Sequence, residues 1–383
     1  MIGTRMSKSR SQPDVLVLGS HPCCCLAGAL LQAEQVPSLV ATIPGPAMPD
    51  RLVLINPKFF ELHKLTAPLK KLPELSPIQG LQFLADDSNI SSEYTAKSVV
   101  GYIALFSQVR DAMLEQAKRA KVDLVETRTL EIHGADEKGV DVSLNGTRMH
   151  PRMLIVGGEL PPEQRKVLGL PESWDAGVLH RYTFLRLKGT KTVDPNAMKL
   201  MPMSLDLGGQ LQWAWLMCAG DSVQLAVEQP AETVSRQSPE KALAKWIDVL
   251  TRHRILKPTA KPLHLSNIES VDLPLAGALN QEGVANRTLL IGPAGGFYNA
   301  CAEDIYPACW SALFAASVAV KALQARHLQD ALNAYRQTWG ATLGDYLRGP
   351  QENLRFLLPL VYRNSVMTAR MGEAILSGES VVR

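Results

Sequence analysis

The chain has 383 residues, 46% of them hydrophobic and 20% charged, enough apolar material for two domains, or for one large α/β unit with a second domain inserted in it. This composition excludes a disordered or fibrous chain. A formal net charge of +3, from 40 basic and 37 acidic residues, is too small to imply nucleic-acid binding by electrostatics alone, and no nucleic-acid partner is expected.

The segment Met1 to Pro13 is polar and basic without an apolar core, unlike a secretory signal, so a cytoplasmic protein is expected. The longest stretch free of Asp, Glu, Lys and Arg is the nineteen residues from Val15 to Ala33. Gly19, Ser20, His21, Pro22, Gly28 and Gln32 interrupt it, which suits a lipid-facing helix poorly.

Instead, Asp14 to Gly19 is a short apolar run ending in glycine, the pattern of a buried parallel strand. Ser20 to Gln32 turns into a helix of small and apolar residues, and Ser38 to Ile43 supplies a second strand. Together they form a βαβ unit of about thirty residues, the start of a mononucleotide-binding half. Pro44 to Pro77 is rich in proline and basic residues and reads as an excursion over the surface. From Val99 to Ala120, Phe106, Val109, Met113 and Ala117 recur at spacings of three and four, with Asp111, Glu115 and Lys118 opposite. That predicts an amphipathic helix.

Strand patterns follow at Asp123–Val125, Thr129–His133, Val140–Leu144 and Met153–Val156, with Gly134 and Asn145-Gly146 as turns. Tyr182 to Val271 alternates like an antiparallel sheet, interrupted by a helix near Pro239–Arg254. Arg287 to Gly292 is a third buried strand ending in glycine, and Tyr306 to Gln324 predicts a helix apolar nearly all round, hence buried.

The six cysteines are Cys23, Cys24, Cys25, Cys218, Cys301 and Cys309. They keep no CxxC spacing, which argues against a disulfide scaffold. A metal site would recruit His21 with Cys23 to Cys25; the plainer reading packs small thiols where a helix meets a sheet, and no metal is expected.

Three βα turns with a β-rich segment before the last carry a resemblance. Asp14 to Ala29 is similar to a strand, Gly-x-Gly-Pro-Ala-Gly loop and helix. Leu154 to Leu170 is similar to a strand-Gly-Ala-Asp-Gly motif with a Leu-Gly-Leu end. Leu289 to Phe297 is similar to Gly-Asp-Ala-Ala-Gly-Phe. In this order they resemble the FAD-dependent oxidoreductases of the aromatic-hydroxylase type, and within them the geranylgeranyl reductase family. The resemblance implies an α/β fold: a FAD/NAD(P)-binding Rossmann-like domain over 14–180 and 272–327, an inserted antiparallel substrate domain over 181–271, and a helical C-terminal segment over 328–383.

It also implies FAD as cofactor, NAD(P)H as electron donor, and a small apolar, isoprenoid-type substrate. The cofactor-binding positions carried over are Gly19, His21, Pro22, Cys23, Cys24, Glu159, Gly292, Pro293, Ala294, Gly295 and Gly296. Several depart from the family pattern. His21 and Cys24 stand where glycines let the backbone approach the pyrophosphate and the helix pack on its strand. Thr42-Ile43-Pro44 lacks the ribose-binding carboxylate, Pro293 replaces the aspartate that holds the ribityl chain, and Glu159 replaces the middle motif's aspartate.

Each lost charge-assisted hydrogen bond costs about 1.5–3 kcal/mol. The expectations are therefore three: a flavin oxidoreductase, a flavin monooxygenase, or a cofactor-free lipid-binding or scaffolding protein in which Cys23 to Cys25 fill the space of the pyrophosphate.

No catalytic residue is named. Tyr298, Cys301, Glu303 and Asp304 follow the third motif and are candidates for lining a pocket, although the plainer and favoured reading makes Glu303 and Asp304 first-turn acids of the following helix. His63, His180 and His264 sit in no motif. Trp213 and Trp215 share a strand face, as core or cavity lining. In the tail, Leu328, Leu332, Tyr335 and Trp339, then Leu354, Leu357, Leu358 and Val361, form helical stripes. These pack on the body or, with nearby arginines, rest on an anionic membrane surface as a peripheral contact.

Overall fold

The computed structural model describes residues 12–378 except 44–48, 191, 193, 204–211, 235–237, 257–266, 275–282 and 349–353. With strands and helices numbered in chain order, the first sheet comprises β1 (Val15–Leu18), β2 (Ser38–Ala41), β8 (Asp123–Val125), β12 (Met153–Val156), β18 (Val284–Ala285) and β19 (Thr288–Leu290). Their order is β18-β19-β12-β1-β2-β8, parallel except for the edge pair β18–β19. Every residue of β1, β2 and β12 is buried, because both faces are covered, and that is why these runs are uniformly apolar.

One face carries α1 (Pro22–Ala33), α2 (Phe106–Arg119) and α5 (Ile305–Gln324). The helix α2 buries Phe106, Val109, Met113 and Ala117, the predicted stripe. The length and composition of α5 would let it cross a membrane, yet 67% of its most apolar window is buried, so it serves here as a core helix packed on α1. The other face carries the small sheet β9 (Leu130–Ala135), β10 (Val140–Leu144) and β11 (Thr147–Met149), with α3 (Pro162–Val167) nearby.

The large sheet has the order β17-β13-β16-β15-β14-β5-β6. Its strands are β5 (Gly80–Leu84), β6 (Ser91–Thr95), β13 (Leu179–Lys188), β14 (Ala197–Met203), β15 (Gln212–Ala219), β16 (Ser222–Pro230) and β17 (Glu269–Pro274). The helix α4 (Pro239–Arg252), capped by Ser238, packs on one face. The helices α9 (Leu354–Val361) and α10 (Ser365–Ser377) lie against the other. Trp213 and Trp215 are both core: Trp215 stacks 5.3 Å from Tyr182, and Trp246 Nε1 donates to its carbonyl at 3.1 Å. The strands from residues 80–95 extend this sheet beyond the 181–271 span expected of the substrate domain.

Of the segment Pro44 to Pro77, the described part, 49–77, is not the surface excursion that its prolines and lysines predict. It contains β3 (Leu52–Ile55), wholly buried, which with β4 (Ser76–Ile78) flanks β7 (Gly101–Leu105) in a third sheet. Phe59, Phe60 and Leu69 are buried as well. The overlooked signal is the apolar run Leu52-Val-Leu-Ile55. It follows a charged pair, Asp50-Arg51, whose arginine is itself buried. Gln224 of β16 holds β3 to the large sheet: its Oε1 accepts from Leu52 N at 2.7 Å, and its Nε2 donates to Leu52 O at 3.0 Å and to the Tyr182 hydroxyl at 2.8 Å.

The tail folds back as α6 (Leu328–Leu332), α7 (Ala334–Gly340), α8 (Gly344–Arg348), α9 and α10. Leu328, Leu332 and Tyr335 are buried, and the Tyr335 hydroxyl donates to Leu290 O at 2.9 Å. Val361 is buried too, and Leu357 and Leu358 pack against the same core.

Candidate functional site

The carboxyl ends of β1, β12 and β19 meet at Gly19, Gly157 and Gly292, beside the N-terminus of α1. In an open α/β sheet this crevice is where a dinucleotide lies, with phosphate on the helix amides. Here the chain's own atoms occupy it. A Cβ on Gly157 would stand 2.4 Å from Cys24 Sγ; on Gly19, 2.8 Å from the same sulfur; on Gly292, 2.7 Å from Cys23 Sγ. The glycines leave room for the cysteines. All six cysteines are buried and free, and burial pushes the Cys23 thiol well up and that of Cys25 to about 12, so both stay neutral. Among the described residues no group of His, Cys, Asp and Glu is placed to hold a metal ion.

The amides at the start of α1 are taken as well. Pro22 has none, Cys23 N donates to His21 Nδ1 at 3.3 Å, and Cys24 N donates to His21 O at 2.9 Å. The other ring nitrogen, His21 Nε2, lies 3.4 Å from Asp304 Oδ2, and Arg51 Nη2 donates to that oxygen at 2.5 Å. Phe106 closes the cluster, with its ring 4.7 Å from the Arg51 guanidinium carbon and 5.5 Å from the His21 ring. The three polar side chains are 4%, 1% and 0% exposed in chain order, so the cluster is sealed from water.

Burial alone would raise the Asp304 carboxyl; Arg51, and then His21, hold it below its ordinary value instead. Burial likewise opposes the Arg51 charge, and Asp304 more than restores it. A helix N-terminus that attracts an anion thus receives one from the protein itself, the Asp304 carboxylate, relayed by His21.

Of the carried-over positions, Gly19, His21, Pro22, Cys23, Cys24, Gly292, Pro293, Ala294, Gly295 and Gly296 do converge, and all are buried. Glu159 stands apart, exposed at the surface. Neither Glu303 nor Asp304 lies in the first turn where the sequence places them, because α5 starts at Ile305 with Asp304 as its N-cap; Glu303, just before the cap, still serves the helix end, its Oε1 accepting from Tyr306 N at 2.9 Å and its Oε2 from the Tyr346 hydroxyl at 2.8 Å. Burial raises its carboxyl from 4.5 to about 8, only partly offset by those donors. Asp304, at the N-cap of α5, makes no side-chain cap and turns to Arg51. Sequence reasoning missed Arg51, which stands 253 residues from its partner. His63 is only part-buried, and His264 lies outside the described residues.

FAD is the group this fold implies, and its fit can be tested on these contacts. Its pyrophosphate needs free amides and bare backbone at Gly19, His21 and Cys24. The structure offers capped amides, two buried thiols and a closed ion cluster. Pro293 supplies neither a carboxylate nor an amide hydrogen. In this arrangement the residues present do not fit FAD.

A smaller cleft of ≈ 20 Å³ remains between the large sheet and the loop after the third turn, lined by His180, Tyr182, Glu228, Leu273, Pro274, Tyr298, Asn299 and Ala302. His180 Nδ1 lies 2.8 Å from Glu228 Oε1.

No protein-family model matches the chain, and no curated protein matches it in sequence. Solved structures do match in fold. A geranylgeranyl bacteriochlorophyll reductase-like protein from Thermoplasma acidophilum is 14% identical, with a TM-score of 0.68 over 86% of this chain and 83% of that one. A flavoprotein/dehydrogenase from Cytophaga hutchinsonii is 13% identical, with a TM-score of 0.69 over 96% and 93%. A probable FAD-dependent monooxygenase from Pseudomonas aeruginosa is 17% identical, with a TM-score of 0.61 over 90% and 98%. The chain has the fold of FAD-dependent oxidoreductases and monooxygenases, the α/β architecture that the three motifs imply.

Proposed function

We propose that this chain keeps the flavin-oxidoreductase fold with its dinucleotide groove closed by its own side chains, and that it works as a binding protein for a small, largely apolar molecule. The observation that carries the reading is the sealed cluster of His21, Arg51 and Asp304 over Cys23 and Cys24, at the place where the fold would otherwise hold a pyrophosphate. The ligand class is supported by the walls of the remaining cleft, where Tyr182, Leu273, Pro274, Tyr298 and Ala302 surround few polar groups. The test is the flavin released by acid from protein expressed with excess riboflavin. This reading predicts far less than one flavin per chain.

A second reading, a FAD-dependent oxidoreductase acting on an apolar, isoprenoid-type substrate with NAD(P)H as donor, is favoured by one observation. The glycine-ended turns Gly19, Gly157 and Gly292 still converge on the N-terminus of α1 in the fold of such enzymes. It requires the Arg51–Asp304 pair to part before the cofactor enters. One flavin per chain in the extract would favour it.

A further inference from the structure

The positive charge that the chain as a whole barely carries is concentrated in one segment. From Pro57 to Leu75 stand Lys58, Lys64, Lys70 and Lys71 against two acids, Glu61 and Glu74, whereas 40 basic and 37 acidic residues nearly cancel over the full sequence. All four lysines are exposed, and among the described residues none of them forms an ion pair. Glu74 is already engaged, its Oε2 accepting from Gln108 Nε2 at 2.8 Å. Partial burial and then Lys64 hold His63 below its ordinary pKa, so it is neutral at pH 7 and the charge rests on the lysines.

The segment displays its lysines because it is pinned from beneath. Its two short turns, Pro57–Glu61 and Ala67–Lys71, bury Phe59, Phe60 and Leu69, and Leu62, Leu65, Leu72 and Leu75 are half-buried at the edge of the same core. The first turn packs against α5. Burial, then Glu303 and Glu61, raise the Tyr306 hydroxyl, which puts Glu61 at the start of that helix. The Tyr306 ring lies 5.2 Å from Trp310, and Trp310 lies 5.9 Å from Phe314. Beyond Tyr306, α5 turns one side outward: Trp310, Leu313, Phe314 and Val320 are half-buried, and Ser317 and Lys321 are exposed. At about 100° per residue these positions span about 120° of arc. No acidic residue occurs anywhere in α5.

Half-exposed aromatic and aliphatic side chains beside unpaired lysines suit an anionic bilayer, where apolar groups enter the head-group boundary and ammonium groups meet the phosphates. Two other occupants fit less well. A second copy across a two-fold axis would bring the same lysines face to face. A nucleic acid is read chiefly by arginine, whose planar fork pairs with phosphates and base edges, and the segment from Pro57 to Leu75 has none.

We propose that this segment and the outer side of α5 together form a docking surface for an anionic membrane, on which the chain rests without crossing it. The helix α5 stays a core helix and offers only one side. The surface shares no residue with the closed groove or the cleft, so it stands independently of the reading above.

The test is co-sedimentation of the full chain with vesicles of phosphatidylcholine alone and of phosphatidylcholine mixed with phosphatidylserine, at low and high salt. Each lysine near an anionic surface strengthens binding about fivefold, the equivalent of roughly 1 kcal/mol. The proposal expects pelleting with the mixed vesicles only, lost at high salt. The quadruple variant Lys58→Gln/Lys64→Gln/Lys70→Gln/Lys71→Gln should bind them at least about a hundredfold more weakly. Brominated lipid reads the apolar half: it should quench the tryptophan fluorescence of the bound wild type, and Trp310→Phe should remove most of that quenching. No pelleting with mixed vesicles, equal pelleting of the quadruple variant, or unchanged quenching in Trp310→Phe would overturn the surface. A dimer that forms in place of vesicle binding would overturn it as well.

Discussion

Asp304 and Arg51 form the residue pair on which the closed groove depends. Removing one member of a buried ion pair strands the other charge, at about 3–5 kcal/mol, whereas replacing both with apolar residues costs far less. Arg51→Met, which strips the buried Asp304 carboxylate of its nearest counter-charge, should therefore lower the unfolding free energy by about that amount, with the double variant Arg51→Met/Asp304→Leu recovering most of it. Denaturant unfolding of the three chains checks this; an additive double variant would argue against coupling. Because Asp304 is held below its ordinary value, its contribution is present above the unfolded carboxyl pKa and is lost as pH falls through the folded one.

Glu303 has the opposite sign. With its carboxyl raised to about 8, the folded chain keeps a proton between 4.5 and 8 that the unfolded chain has shed, so stability falls as pH rises through that window. Glu303→Gln removes the penalty, and its melting temperature relative to wild type should rise from pH 5 to pH 8 and then level off. A pH-independent difference would refute the assignment. Only part of this site was legible in the chain. His21, Cys24 and Pro293 stand out because a motif has glycines and an acid there. Arg51 does not, because its partner is distant in sequence and the segment around it is dominated by prolines and lysines.

At the scale of elements, β3 pairs with β7, and one side chain ties its first residue to the large sheet. Gln224 satisfies both backbone groups of Leu52 and is itself fully buried, so Gln224→Leu should leave two buried groups unpaired. The expected loss is on the order of 2–4 kcal/mol, read as a fall in melting temperature, and near-neutral behaviour would mean that β3 is anchored elsewhere. Elements with a clear period were readable: the stripe of α2, the uniformly apolar β1 and β12, and the all-round apolar α5 match what their patterns dictate.

The strands β3, β5 and β6 were not, since each is five residues or shorter; β3 and β5 gain their burial from partners distant in sequence, and β6 is a largely exposed edge strand with no apolar alternation. No local period reveals a strand that is completed only by pairing across about a hundred residues, as β5 does with β14. The tail stripe at Leu328, Leu332 and Tyr335 packs on the body, so these side chains are not available to a membrane surface.

Over the whole molecule, a nucleotide-binding architecture and its closure coexist. The parallel sheet, the three glycine-ended turns and the large antiparallel sheet persist because packing needs them, while five side chains close the crevice they frame. The architecture was legible because order and spacing of the motifs survive substitutions that remove individual contacts. Closure was legible only as an alternative, since a sequence shows that His21 and Cys24 replace glycines but not that Asp304 and Arg51 complete the seal. The most direct measurement is equilibrium titration of the purified protein with FAD, read by quenching of flavin fluorescence. The closed groove predicts no saturable binding to the wild-type chain at micromolar concentrations. Stoichiometric, saturable binding of FAD to that unaltered chain would contradict it.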